Sequence, residues 1–105
     1  MPKFLVEARY TTEGAKGLAR EGGSARREAV KKTLESVGGK LEAFYYAFGG
    51  VDAYIVFDAP DNASAAAVSL AANQSGAIAS KTIVLLTAEE MDLSLIHISE
   101  PTRPY

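Results

Sequence analysis

The residues with the clearest potential for chemistry are polar side chains that alternate along two predicted strands. Glu7 and Arg9 lie two apart in KFLVEARY, so both point to the same face of a strand. Asp52 and Tyr54 repeat this spacing in DAYIVFD, and Tyr46 lies in the apolar run before it. If a second sheet packs on this face, these five residues are partly removed from water and can line a small polar ligand pocket. In such a pocket Glu7 could act as a base and Arg9 could bind an anionic group of the ligand. Two alternatives stay open: a salt bridge that sets the register of an interface, and an exposed, idle pair.

Metal binding and nucleophilic catalysis find little support in the residue types. The absence of cysteine excludes disulfides and thiolate metal sites. The single histidine, His97, lies in the C-terminal tail, so no serine has a histidine that could act as its general base. Ser69 and Ser75 lie in a predicted alanine-rich helix and are expected to have no functional role. The spacing of the acidic residues near Asp58 fits no Ca²⁺ loop. We expect no metal and no cofactor.

Charge and hydropathy exclude other classes of partner. The net charge is −2 and the pI is near 5.4, whereas nucleic-acid binders normally carry a strong basic excess. The basic run RREAVKK is interrupted and flanked by glutamates, as on a solvated helix face. EGGSARR could hold an anion on free N–H groups, but a plain junction between two helices explains it better. Without a signal peptide or an apolar run of about 20 residues, we expect a cytoplasmic protein that binds no membrane.

The elements that must position the candidate residues follow from periodicity and from glycine, proline and capping residues. The predicted order is strand, helical pair, strand, strand, helix, strand, which is the α+β, ferredoxin-like βαββαβ plan with helices on one face of a four-stranded antiparallel sheet. Thr12, Ser24 and Asp61 or Asn62 are the predicted helix caps. The predicted bounds are strands at 3–10, 41–48, 52–58 and 81–86, with helices at about 12–22, 24–38 and 61–76 and a helix start at Thr87.

The second face of this sheet predicts a partner. Phe4, Val6 and Ala8 are expected to face the helices, which leaves Leu5 with Glu7 and Arg9 on the open face. On the hairpin, the predicted open-face residues are Glu42, Phe44, Tyr46 and Phe48, followed by Asp52, Tyr54, Val56 and Asp58. So much exposed aromatic surface needs a cover. We expect a homodimer that packs two sheets face to face and buries on the order of 800 Å² per partner.

Several stretches together resemble a known family. EARYTTEGAKGL, EGGSARREAV, GGKLEAFYYAFGGVDAYIV and DAPDNASAAA, in this order, resemble the GYD-domain family of small bacterial proteins from about Pro2 to Asp92. The resemblance implies a ferredoxin-like domain, similar in plan to the dimeric α/β-barrel superfamily, with no established activity. The family's Gly, Tyr and Asp signature falls on Gly49, Val51 and Asp52, so the tyrosine is replaced by valine.

Three functions are compatible with this description. The first is a small-molecule binding module whose dimer encloses a pocket between sheet and helices, lined by Tyr46 and Tyr54. The second is a cofactor-independent enzyme, a monooxygenase or isomerase, in which Glu7 and one of these tyrosines form the acid–base pair. The third is a structural or regulatory interaction protein. A ligand-sized cavity near Glu7 would favour the first two.

The C-terminal stretch DLSLIHISEPTRPY has a different origin from the rest of the chain, on our interpretation. Leu93 to Arg103 resemble, residue for residue, the translation of the transposase-adapter DNA used to prepare sequencing libraries. LSLIHIS also alternates like a strand directly after a segment that begins as a helix. We therefore predict a native domain at 1–92 and adapter read-through at 93–105, which removes His97 from every functional hypothesis.

Overall fold

The computed structural model describes residues 1–98 and confirms the ferredoxin-like α+β fold. Four antiparallel strands form one sheet in the order β2-β3-β1-β4, so the first and third strands are neighbours. The elements are β1 (Lys3–Tyr10), α1 (Thr12–Glu21), α2 (Gly23–Ser36), β2 (Lys40–Tyr46), β3 (Ala53–Asp58), α3 (Asn62–Gln74), β4 (Ile78–Leu85) and α4 (Ala88–Ile98).

The hydrophobic core lies between the sheet and helices α2 and α3. Alternate residues of β1 and β3 are buried there, and the stacked rings of Phe4 and Phe57 have centroids 5.3 Å apart. Leu34 of α2 and Ala65 of α3 close the core from the other side. Burying a side chain as large as phenylalanine or leucine stabilises the fold by roughly 1.5–3 kcal/mol. The predicted inward orientation of Phe4, with Val6 and Ala8, is confirmed.

Helix α1 begins at a junction that ties three parts of the chain together. Its N-cap is Thr11, one residue before the predicted Thr12, and the Thr11 hydroxyl accepts a hydrogen bond from the Gly14 N–H at 3.1 Å. The Thr11 N–H in turn donates to the Ala77 carbonyl at 3.0 Å. A Cβ at Gly14 would collide with that same carbonyl oxygen, so only glycine allows this close approach.

Of the other three helices, α2 does not begin at its predicted cap, whereas α3 and α4 do. Ser24 does not cap α2, because it is already the second residue of that helix; the N-cap is Gly22, at φ +88°, which also ends α1 and has no side chain to accept a hydrogen bond. Asp61 caps α3 by accepting from the Ser64 N–H at 2.8 Å. At α4, Thr87 and Glu90 exchange hydrogen bonds between side chain and backbone, which is a capping box.

A β-bulge corrects the predicted orientation of the hairpin. The pairing of β2 with β3 shifts register between Leu41 and Ala43, which inserts one extra residue. Because neighbouring strand residues face opposite sides, the insertion reverses the alternation, and Phe44 and Tyr46 face the helices instead of the open face. Phe48 lies beyond β2 in the connection to β3 and is fully exposed.

The C-terminal part departs from the prediction in two ways. Strand β4 begins at Ile78, three residues before the predicted start at Lys81. The alternating LSLIHI does not form a strand. Leu93 to Ile98 instead continue helix α4, all of whose residues are exposed. Residues 99–105, the rest of the predicted adapter read-through, lie outside the described residues.

Candidate functional site

The structure places Glu7, Arg9 and Tyr54 on the open face of the sheet, as predicted. Glu7 lies on β1 directly between Tyr54 of β3 and Lys81 of β4 in the strand registers. Arg9 is exposed, and its Nε donates a hydrogen bond to the Gly50 carbonyl at 2.7 Å. The arginine therefore holds the glycine-rich turn of the hairpin in place.

Asp52 and Tyr46 have positions that the pattern did not predict. The Asp52 carboxylate accepts from the backbone N–H of Tyr10 at 2.8 Å, which fastens the start of β3 to the end of β1. Tyr46 lies on the helix face, where its hydroxyl donates to the Gly23 carbonyl at 3.0 Å. The sheet therefore separates Tyr46 from Glu7 and Tyr54, and the five candidate residues do not share one pocket.

A cavity of about 260 Å³ lies instead between the sheet and the helices. Helix α2 packs against β2 and helix α3 against β4, so the two helices stand apart over the central strands β3 and β1. The helix residues facing this gap are mostly small, which keeps it open. They include Ala29 and Thr33 of α2, Ser69, Ala71 and Ala72 of α3, and Ser75 at the C-cap of α3. The floor is apolar and includes Val6, Ala8, Ile55 and Phe57.

Two polar side chains, Tyr10 and Arg26, stand out in the wall of this cavity. Burial raises the pKa of Tyr10 to about 12, and the neighbouring Tyr46 phenol adds to the increase, while the charge of Arg26 opposes it. At neutral pH the Tyr10 hydroxyl is therefore protonated and acts as a hydrogen-bond donor rather than as a base.

Ser69 of α3 and Ser75 at its C-cap have structural roles that the sequence did not predict. The Ser69 hydroxyl is 2.5 Å from that of Thr82, so a side-chain hydrogen bond joins α3 to β4. The Ser75 hydroxyl donates to the Ala72 carbonyl at 2.6 Å and accepts from the Ala77 N–H at 3.1 Å. Both serines also line the cavity, so they fix its α3 wall at the sheet and at the following turn.

Sequence reasoning missed Tyr10 and Arg26 as site residues, although each had a signal. Tyr10 continues the inward alternation of β1 after Phe4, Val6 and Ala8. Arg26 lies four residues before Val30, and so belongs to the inner stripe of α2 that continues to Leu34. In both β1 and α2, a polar residue at a position expected to face the core was the signal that could have identified the site.

Comparison with known proteins identifies a family but no activity. A sequence model of the GYD domain matches residues 4–95. A search of curated proteins finds no match for the chain. Within residues 1–98, no helix is long and apolar enough to span a membrane, and no group of three or more acidic, histidine or cysteine side chains is placed to hold a metal ion. The matched segment ends near the predicted junction at Asp92, and the interpretation of 93–105 stays a prediction.

Proposed function

We propose that this chain, which belongs to the GYD-domain family, is a homodimeric module that binds a small, mostly apolar organic molecule between the sheet and helices α2 and α3. The observation that carries the proposal is the cavity of about 260 Å³ over the central strands. We also infer a cytoplasmic location, since a chain without cysteine suits a reducing compartment.

The size and lining of the cavity support an organic ligand. Protein interiors rarely leave voids larger than a water molecule, and an apolar cavity of about 150 Å³ is enough to bind benzene. The cavity here is larger and its floor consists of aliphatic and aromatic side chains. It can therefore hold an aromatic ring or a branched alkyl group with a few further atoms.

The polar groups of the cavity favour binding over acid–base catalysis. Neither carboxylate nor imidazole is among the residues that line it within the described chain. The predicted base, Glu7, lies on the other face of the sheet, and Tyr10 is a donor at neutral pH. Hydrogen-bond donors in an apolar cavity orient a ligand without supplying the proton acceptor that an isomerase needs.

The homodimer rests on the surface of the open face. Leu5, Val56, Ile83 and Leu85 form a partly exposed apolar centre on this face, with Tyr54 beside them. Charged residues surround this centre, as in an interface with an apolar core and a polar rim. A second copy turned about a two-fold axis would cover the apolar centre with an identical one.

A neutral apolar probe tests the binding function. We expect toluene, added to the isotope-labelled protein, to shift the NMR signals of cavity residues such as Val6, Ile55 and Phe57. Ala72→Leu places a larger side chain in the cavity and should abolish these shifts. The matched control is Ala66→Leu, an exposed position of the same helix, which should leave them unchanged. Shifts confined to the open face, or none at saturating toluene, would refute the proposal.

A further inference from the structure

Arg26 is an unusual residue for the wall of an apolar cavity. Its side chain is only 25% exposed, and the Nε atom is buried without a hydrogen-bond partner among residues 1–98. Folded proteins pair nearly all buried polar atoms, and a donor on a charged group is costly to leave unpaired. The guanidinium is therefore incompletely paired within the described chain.

The rest of the guanidinium is only partly neutralised. Arg26 Nη2 lies 3.3 Å from Glu21 Oε2, but the Glu21 side chain is 48% exposed, so water weakens this ion pair. Gly17 leaves room for the arginine at this point, because a Cβ there would lie 3.3 Å from Arg26 Nη2. The guanidinium thus lies against α1 with one partly exposed ion pair, and its positive charge is only partly neutralised.

Tyr10 supplies a second donor at the same cavity. Both residues line the cavity wall, and the charge of Arg26 acts against the increase in the pKa of Tyr10 that burial and the Tyr46 phenol cause. A guanidinium and a phenol on the wall of one cavity are a good match for an anionic oxygen, since hydrogen bonds with an ionised partner are roughly twice as strong as neutral ones.

We propose that the cavity selects a monocarboxylate with a small apolar body, whose carboxylate accepts hydrogen bonds from the Arg26 guanidinium and the Tyr10 hydroxyl. The apolar part then lies against Ile55 and Phe57. This inference rests on the proposed binding function and adds the chemical class of the ligand. It also explains how an arginine can be stable in the wall of a mostly apolar cavity, because the ligand supplies the balancing negative charge.

Two probes of the same shape test the inference. Phenylacetate and its neutral amide, phenylacetamide, are compared by isothermal titration calorimetry on the full chain. We expect phenylacetate to bind at least about tenfold more tightly, which corresponds to one hydrogen bond to a charged group. Arg26→Gln should remove this preference and leave the affinity for the amide nearly unchanged. The matched control, Arg27→Gln, removes an exposed arginine of the same helix, α2, that does not line the cavity, and should change neither affinity.

A second variant gives the opposite effect and does not remove the arginine. Glu21→Gln takes away the carboxylate that competes for Arg26, so we expect phenylacetate to bind several-fold more tightly and phenylacetamide to bind as before. This arm decides the question if Arg26→Gln does not fold. Equal affinities for the two probes, with no response to Glu21→Gln, would overturn the carboxylate assignment and leave the binding function standing. Failure of both probes and of toluene to bind would overturn both proposals.

Discussion

The two faces of the sheet are built from the same strands and have opposite designs. Strand β1 contributes Phe4, Val6 and Ala8 to the helix face, where they are buried, and Leu5, Glu7 and Arg9 to the open face, where they are partly or fully exposed. The helix face is covered, yet the helices leave a cavity over its centre. Alternation along a strand therefore decides which face of the sheet a side chain lies on. The element packed against that face decides whether the side chain is buried in the core, lines a cavity or stays exposed.

Charge is also distributed differently on the two faces. On the open face, Lys3 contacts Glu42 at 2.8 Å and Asp58 at 3.0 Å, and the hydrogen bonds that its ammonium group donates to these carboxylates raise the pKa of the lysine. On the helix side, Arg26 has one exposed partner and one unpaired buried nitrogen. Satisfied charges at a rim favour a specific interface, while an unsatisfied one in a cavity favours a ligand.

The largest expected effect is on the free energy of unfolding, which should depend more on the helix face of the sheet than on its open face. Phe57→Ala removes a ring that is 1% exposed and stacked on Phe4, so the free energy of unfolding should fall by about 3–5 kcal/mol. The matched variant on the same strand, Tyr54→Ala, removes an open-face ring that is 38% exposed and should cost clearly less. Urea unfolding at low protein concentration measures both. Equal losses would mean that the open face contributes as much to the folded chain as the core does.

An intermediate effect concerns assembly. Val56 pairs with Leu5 at the centre of the open face, so Val56→Lys places a charge in the proposed interface. We expect the dimer dissociation constant to rise by at least about tenfold, because a buried unpaired charge costs several kcal/mol. Ala66→Lys, the same change of charge on exposed α3, should leave assembly intact. Size-exclusion chromatography with light scattering measures the molar mass in solution and so distinguishes monomer from dimer. A wild-type monomer at micromolar concentration would contradict the proposed dimer.

The smallest effect is a pH dependence that belongs to the helix face. Burial favours the neutral form of Tyr10 and raises its pKa from 10.0 to about 12. The stability this contributes is fully present below pH 10 and is lost as the pH rises towards 12, because the unfolded chain releases the proton first. Unfolding midpoints measured across this range should show a decrease that is smaller in Tyr10→Phe. An identical decrease in both proteins would assign the effect to other groups.

Much of the fold was predictable because its signals are local. The bounds of β1 match the prediction, and the glycine pairs at 22–23 and 38–39 lie where α1 and α2 end. Asp61 and Thr87 mark the starts of α3 and α4 as capping residues should. The cap prediction failed at the junction between α1 and α2, where Gly22 is the C-cap of one helix and the N-cap of the next, so that Ser24 lies inside α2.

The candidate site was less predictable, and the reason is physical. By itself, the sequence determined the strands, the helices, the inward alternation of β1 and β3, and hence the ferredoxin-like plan, since each depends on residues close together in the chain. Only the tertiary structure decided that one extra residue in β2 turns Tyr46 inward, that α2 and α3 stand apart, and that Tyr10 and Arg26 line one cavity. A bulge reverses every later side chain of its strand, and a cavity depends on the volumes that distant segments bring together, which no local pattern records.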